Sequence, residues 1–139
     1  MSPSTAIFWP MMAHIVLVYG IYYLLWVRRA LAVRKGSARV GQFRENEKEP
    51  PESLFVRNSL ANQFELPPLF LVLCLSIYVT GHATLYPVLL AWAFVGTRYA
   101  HAYVHLGSNR IRYRMQFFAS GLLINALLLL WLAVNIALN

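Results

Sequence analysis

Hydrophobic residues fill four long stretches of the chain, and polar residues are concentrated in the segments between them. Each stretch is close to the roughly 20 residues that a helix needs to cross the hydrocarbon core of a bilayer. We therefore predict an all-α, integral membrane four-helix bundle that forms a single domain. The predicted spans are about 5–31, 53–80, 85–106 and 111–137, with a polar loop at about 34–51.

The composition supports this prediction. Only 12% of the residues are charged and 59% are hydrophobic, whereas roughly 25% are charged in ordinary soluble domains. The net charge of +7 would suggest nucleic-acid binding in a soluble protein, but here the positions of the charges matter more. We therefore expect a lipid bilayer as partner and no nucleic acid.

The basic residues predict the orientation of the chain. Seven of the 12 lie between the first two spans and three lie between the last two, at Arg110, Arg112 and Arg114. Loops rich in Lys and Arg stay on the cytoplasmic side. We therefore expect both basic loops in the cytoplasm and both termini on the opposite side, in the inner membrane if the protein is bacterial.

The second predicted span carries a polar stripe and then two prolines. Asn58, Asn62 and Glu65 are spaced i, i+4 and i+7, which places them on one face of a helix. Pro67 and Pro68 follow and loosen the helical hydrogen bonding. The other four acidic residues lie in or beside the polar loop, where we expect them to be solvated: Glu45, Glu47, Glu49 and Glu52.

The third predicted span carries Arg98, His101 and His105 on one helical face. Ionisable groups inside a membrane are costly against lipid, so they normally face a partner helix or a wet cavity and mark a functional site. Glu65 lies at about the same depth as Arg98, so an ion pair between them is expected. In a purely structural alternative, a carboxylate neutralises Arg98 and the two histidines bridge helices.

No metal site is expected. His101 and His105 have the i, i+4 spacing of metal-binding histidines, but neither has an acidic or cysteine ligand nearby in the sequence. The single cysteine, Cys74, lies within an apolar stretch and is expected to be a small buried hydrophobic residue.

The polar residues of the spans and the second basic loop predict one mixed site at the cytoplasmic leaflet. Its candidate members are Arg57, Asn58, Asn62, Glu65, Arg98, His101, His105, Arg110, Arg112 and Arg114. Arginines suit carboxylates, and a glutamate suits an amine. Glutathione carries two carboxylates, an amine and a thiol that arginine could hold as the reactive thiolate, although composition alone does not single it out.

Two short motifs add a family resemblance. Asn62-x-x-Glu65 followed by proline, and Arg98-x-x-His101 ahead of a basic turn, resemble the membrane-associated proteins in eicosanoid and glutathione metabolism (MAPEG). That family includes microsomal glutathione transferases and prostaglandin E synthase. The resemblance extends from Arg57 to Phe118, and the outer spans match only as generic hydrophobic helices.

The resemblance implies a homotrimer of four-helix subunits with glutathione bound between neighbours near the cytoplasmic face. Asn62 and Glu65 would contact glutathione, and Arg98 and His101 would line the same site. Asn58 stands where an arginine is common, with Arg57 as a partial replacement, and His105 stands where tyrosine is frequent. The thiolate-stabilising arginine could be Arg110, Arg112 or Arg114.

Two functions remain open at this point. The first is a transferase or peroxidase that uses glutathione as cosubstrate on lipophilic electrophiles. The second is a noncatalytic membrane protein that binds lipid or another apolar ligand.

Overall fold

The computed structural model describes residues 4–45 and 48–138, and within these ranges every regular element is helical. The prediction of an all-α protein is therefore confirmed. The α-helices are α1 (Phe8–Arg34), α2 (Val40–Arg44), α3 (Pro51–Ala61), α4 (Pro67–Val79), α5 (Leu85–Leu106) and α6 (Ile111–Ala137). Short 3₁₀ turns at Thr5–Ile7 and Asn62–Phe64 precede α1 and α4.

Three helical segments of the described chain are long and apolar enough to cross a membrane: Thr5–Arg34, Pro51–Val79 and Ile111–Ala137. Their outer surfaces are strongly apolar, with Trp26 67% and Val79 81% exposed. Helices with apolar outer surfaces of this kind suit lipid surroundings. Helix α5 packs against α6 and α1, but Arg98 and His101 lower its hydropathy. The protein is therefore a helical membrane protein.

The hydrophobic core lies where α4, α5 and α6 meet. Phe70 of α4 stacks on Phe94 of α5 with 4.3 Å between ring centroids. Gly121 allows α6 to approach closely, since a Cβ atom there would lie 3.1 Å from Thr97 Oγ1 of α5. Cys74 is fully buried in the same core. This close packing fixes α6 relative to α5.

The second apolar segment is not one continuous helix. Helix α3 ends at Ala61, a 3₁₀ turn follows, and α4 begins at Pro67. Pro67 and Pro68 occupy the first turn of α4, where their missing N–H groups are tolerated. Glu65 has backbone angles of φ −90° and ψ −78°, outside the ordinary helical values. Its side chain therefore leaves the stripe that a continuous helix would create.

At the end of the bundle far from the basic loops, the turn between α4 and α5 ties several segments together. Gly81 has a positive φ of 82°, a conformation that favours glycine. Ser4 N donates to Ala83 O at 2.9 Å, and Trp131 Nε1 of α6 donates to His82 O at 3.2 Å. This end of the bundle is therefore cross-linked by hydrogen bonds.

The loop at the opposite end corrects one prediction. Glu49 was expected to be solvated, but its side chain is only 6% exposed. It accepts hydrogen bonds from Arg29 Nε at 2.9 Å, Arg29 Nη2 at 2.8 Å and Ser53 Oγ at 2.6 Å. These cationic and hydroxyl donors replace its hydration, which is why a carboxylate can be buried here. Glu47 lies outside the described residues.

Candidate functional site

An open cleft of about 510 Å³ lies where the 3₁₀ turn, α5 and α6 meet. Its lining consists of Asn62, His101, Ile111, Arg114, Met115, Phe118 and Ala119. The volume lies in the range of small-molecule sites, roughly 300–1,000 Å³. Three of the predicted site residues, Asn62, His101 and Arg114, therefore share one cavity although they come from three separate elements.

Asn62 connects the cleft to the buried residues of α5. Its Nδ2 donates to Asn58 O at 3.1 Å and lies 3.4 Å from His105 Nδ1. Its backbone oxygen accepts from Arg98 Nη2 at 3.2 Å. The early end of α3 leaves this carbonyl available, because the residue four positions later is not part of the same helix.

Arg98 has no exposed surface, and its Nε and Nη1 have no hydrogen-bond partner among the residues that the structure describes. The predicted ion pair with Glu65 is not formed as a close contact: no salt bridge joins the two among the described residues, and Glu65 is exposed, although its negative charge still acts on Arg98. The helix break before Pro67 leaves Glu65 exposed and outside ion-pair distance of Arg98. The Asn62 carbonyl takes the place of a carboxylate as the acceptor for Arg98.

The two histidines of α5 are almost fully buried, His101 at 3% and His105 at 1% exposure. Their rings meet edge to face with 5.8 Å between centroids. His101 lines the cleft, and its Nδ1 has no partner. His105 lies against Asn62 and is not part of the lining.

The three basic-loop arginines have different positions. Arg114 is half-buried and lines the cleft, while Arg110 and Arg112 are exposed and do not. Arg114 Nη1 donates to Asn109 Oδ1 at 2.8 Å, and its Nε has no hydrogen-bond partner within residues 4–45 and 48–138. Asn109 has a positive φ of 49°, a conformation that asparagine tolerates better than most residues. The turn thus orients Arg114 toward the cleft with one donor still available.

Three further predicted site residues lie outside the cleft lining. Arg57 approaches Glu49 instead, with 3.9 Å between Nε and Oε2. Asn58 is exposed, and its carbonyl accepts from Asn62. Glu65 is also exposed. The structure therefore does not place these side chains beside His101 and Arg114.

The apolar wall of the cleft was not predicted from the sequence. It is formed by α6 residues that share a helical face with Arg114: Ile111, Met115, Phe118 and Ala119. Their spacing of three or four residues was a usable signal. An apolar groove of about 310 Å³ continues along α6, lined by Leu66, Leu69, Val72, Leu73, Leu122, Asn125, Ala126 and Leu129.

Sequence reasoning also missed how many polar residues are buried near α5. Ser59 and Gln63 are 0% and 2% exposed, and Ser59 Oγ and Gln63 Oε1 have no partner. His14 of α1 is 2% exposed and lies edge to face with Phe70. The buried region beside the cleft is therefore more polar than the surrounding membrane helices.

This arrangement suits an anionic ligand beside an apolar one. Arg114 supplies a cation and Asn62 an amide, His101 supplies an imidazole, and α6 supplies an apolar wall. Buried Arg98 adds positive charge behind the lining. Within the part of the chain that the structure describes, no group of three or more His, Cys, Asp or Glu side chains is arranged to hold a metal ion.

Comparison with known proteins supplies the family. The model of the MAPEG family matches residues 7–134. No curated protein and no solved structure matches the chain. The matched range contains the Asn62-x-x-Glu65 and Arg98-x-x-His101 motifs, the basic turn and all the residues that line the cleft. The chain therefore belongs to the MAPEG family.

Proposed function

We propose that this protein is a membrane-embedded glutathione-dependent transferase or peroxidase that acts on lipophilic electrophiles. The observation that carries the proposal is the shared cleft of Asn62, His101 and Arg114, which adjoins an apolar groove along α6. Membership of the MAPEG family, whose members act in glutathione and eicosanoid metabolism, supports the same reading.

The cleft has groups that match glutathione. The guanidinium of Arg114 suits a carboxylate or a thiolate, and the Asn62 amide can bond to the peptide backbone. Arg98 Nε and Nη1 have no hydrogen-bond partner in the described part of the chain, so the positive charge of this arginine makes the surroundings of the cleft favour an anion. The buried arginine acts through its positive potential in a medium of low dielectric constant.

Arg114 is the candidate for stabilising the thiolate. Its Nε lacks a partner, whereas its Nη1 is fixed by Asn109. A cation near a thiol lowers the thiol pKa from roughly 8.5, which increases the reactive thiolate fraction at neutral pH. In a transfer reaction the sulfur forms a bond to the electrophilic atom, the leaving group departs with its electron pair, and the thiol proton passes to solvent.

The lipophilic reactant would occupy the groove of about 310 Å³. The groove begins at Leu122, one helical turn beyond Phe118 of the cleft. Both surfaces lie on the same face of α6, so a long apolar molecule can extend from one to the other. Such a molecule dissolves in the bilayer and can enter from the side.

The proposal includes a homotrimer whose four helical segments each cross the membrane, with both basic loops in the cytoplasm and the termini opposite. Seven and three basic residues in the two loops support this orientation. The cleft is open at the protein surface, which leaves room for a neighbouring subunit. Labelling of cysteines introduced at positions 2 and 42 from the same side of the membrane would contradict the topology.

Isothermal titration of glutathione into detergent-solubilised protein tests the proposal. We expect the parent to bind, and Arg114→Ala and Asn62→Ala to weaken binding about tenfold or more, near 1.4 kcal/mol. Arg112→Ala is the matched control, because Arg112 is exposed and lies outside the cleft lining. Absence of binding by the parent, or equal loss in Arg112→Ala, would defeat the glutathione assignment.

The alternative is a noncatalytic protein that binds lipid or an apolar ligand. It is favoured by the positions of Arg57, Asn58 and His105, none of which lines the cleft. Turnover of 1-chloro-2,4-dinitrobenzene or cumene hydroperoxide with glutathione separates the two functions. Activity that Arg114→Ala abolishes supports the enzyme, whereas ligand binding without turnover of either compound supports the alternative.

A further inference from the structure

A second cleft of about 440 Å³ lies at the basic end of the bundle, between the last turns of α1 and the short helix α2. Its lining consists of Tyr22, Leu25, Trp26, Arg29, Ala30, Val33, Val40 and Phe43. It shares no lining residue with the cleft at Asn62. Its volume also lies in the range of small-molecule sites.

The walls of this second cleft are fixed by specific contacts. The guanidinium of Arg29 lies 4.8 Å from the centroid of the Phe43 ring, a cation–π geometry. The same guanidinium is held by two hydrogen bonds to Glu49. The Gln42 side-chain amide also donates to Lys48 O. The cleft is therefore held open between two helices that are tied together.

The lining of the second cleft combines apolar side chains with the charged Arg29. Leu25 and Val33 give it an apolar side, and Trp26, which is 67% exposed, lies beside them. Tryptophan and tyrosine prefer the boundary between hydrocarbon and headgroups. Since the membrane segment Thr5–Arg34 ends here, the cleft lies at the level of lipid headgroups.

Positive charge is in excess around the second cleft. Arg39 directly precedes α2 and Arg44 ends it. The described acids of the loop are already engaged, Glu45 by Arg44, Glu49 by Arg29 and Glu52 by Ser37. Several exposed bases have no carboxylate within ion-pair distance among the described residues: Arg28, Arg34, Arg39 and Lys48.

We infer that this second cleft binds an acidic phospholipid of the adjacent leaflet. The phosphate would lie near Arg39, which directly precedes Val40 of the lining and has no carboxylate within ion-pair distance among the described residues. Arg29 and Arg44, already paired with Glu49 and Glu45, would add only to the local positive potential. An acyl chain would lie along Tyr22 and Leu25. Basic side chains near a bilayer surface attract acidic lipids. A zwitterionic lipid would leave the excess charge unmatched, and a soluble phosphate would leave the apolar side unfilled.

Native mass spectrometry of the full chain from mild detergent tests this inference. Phosphatidylglycerol and phosphatidylcholine with the same acyl chains would be added at equal concentration. We expect retained phosphatidylglycerol to exceed phosphatidylcholine at least tenfold. Equal retention of the two lipids would overturn the inference. Displacement of phosphatidylglycerol by millimolar glycerol 3-phosphate would also overturn it, because the acyl chains of the lipid would then contribute nothing to binding.

Two variants with matched controls locate the binding. Phe43→Ala removes one wall and should lower retained phosphatidylglycerol at least fivefold, whereas Phe55→Ala, an exposed phenylalanine of α3 outside the lining, should not. The double change Arg39→Gln with Arg44→Gln should act like Phe43→Ala. Its control is Arg110→Gln with Arg112→Gln in the other basic turn. Equal losses of retained phosphatidylglycerol in variants and controls would show that nonspecific charge attraction holds the lipid, and would overturn the inference.

Discussion

At the scale of single residues, Arg98 has the most unusual environment in the protein. Its side chain has no exposed surface, and one nitrogen donates to the Asn62 carbonyl. Its Nε and Nη1 have no hydrogen-bond partner among the described residues. Burying a charge is costly unless it is fully paired. A residue kept under these conditions is better explained by a role beside the cleft than by stability.

The first prediction concerns Glu65 and Arg98. Because Glu65 is exposed and makes no ion pair with Arg98, Glu65→Ala should change the free energy of unfolding by less than about 0.5 kcal/mol. Arg98→Leu should leave that free energy unchanged or raise it, since replacing a poorly paired buried ion by an apolar residue is often neutral or stabilising.

Thermal unfolding of the ligand-free protein measures both changes. A loss of several kcal/mol in Glu65→Ala would show that Glu65 reaches Arg98 after all. In that case the double variant Glu65→Ala with Arg98→Leu would recover part of the loss, because the unpaired charge of Arg98 would be gone.

Residue positions were predictable only where the helix is regular. The i, i+3, i+7 spacing placed Arg98, His101 and His105 on one face of α5, and all three are buried. Glu65 left its predicted stripe because the helix breaks before Pro67. The sequence does not decide which of Arg110, Arg112 and Arg114 reaches the cleft. That depends on where α6 begins, at Ile111, and on the turn at Asn109.

At the scale of helices, the contact between α5 and α6 depends on Gly121. A Cβ at this position would lie 3.1 Å from Thr97 Oγ1, 3.5 Å from Leu66 Cδ2 and 3.6 Å from Phe94 Cε2. Gly20 of α1, by contrast, would place a Cβ in open space. The two positions form a matched pair for measuring close packing.

We expect Gly20→Ala to be neutral or stabilising, because alanine favours a helix over glycine by about 1 kcal/mol. Gly121→Ala should be less stable than Gly20→Ala by about 1–3 kcal/mol, the usual cost of overpacking. Thermal unfolding in one detergent measures this difference. Equal stability of the two variants would mean that α6 can move away from α5 at little cost.

The loop between α1 and α3 depends on Glu49. Burial alone would raise the pKa of the Glu49 carboxyl, but hydrogen bonds from Arg29 and Ser53, with the charges of Arg29 and Arg57, outweigh it and hold that pKa below its usual value. Hydrogen bonds to charged groups contribute about 1.5–3 kcal/mol. Glu49→Gln should therefore lower the free energy of unfolding by about 1–3 kcal/mol.

Glu45→Gln is the control, because its pair with Arg44 is exposed, with side-chain exposures of 83% for Arg44 and 54% for Glu45. Exposed pairs contribute little.

The lowered folded-state pKa of Glu49 adds stability to the folded protein above the unfolded-state pKa of about 4.3. That stability disappears as pH falls through the lower folded value. Acid unfolding curves of parent and Glu49→Gln should therefore converge below pH about 4, and parallel curves would contradict the assignment.

The loop also shows where the sequence was least informative at this scale. Its mixture of Gly, Pro and both charges predicts a solvated connection, yet Val40–Arg44 is helical and Phe43 packs on Arg29. Such tertiary contacts between residues 14 positions apart leave no local periodic signal. The end of α5 and the start of α6 were easier to predict, because Gly107–Asn109 interrupts two strongly apolar stretches.

At the scale of the whole molecule, the proposed homotrimer makes a demand on the surface of each subunit. A ring of three needs two different complementary surfaces on each subunit. The exposed aromatic side chains of α1, including Trp9, Tyr19 and Tyr23, are a candidate for one of these surfaces.

We expect native mass spectrometry from mild detergent to show three copies over a range of protein concentrations. Tyr19→Ala with Tyr23→Ala should shift the distribution toward smaller species if α1 takes part. Leu138→Ala, an exposed position at the far end of α6, is a control. A mass of one or two subunits at every concentration would contradict the trimer.

The hydrogen bonds at the turn between α4 and α5 have a mechanical consequence. Ser4 and Trp131 bond to the carbonyls of Ala83 and His82, so the bundle has a stiff hinge at one end. Rotation about a hinge gives displacements that grow with distance from it. The same angular fluctuation therefore scarcely moves the ends of the helices there but changes the width of the cleft at Asn62.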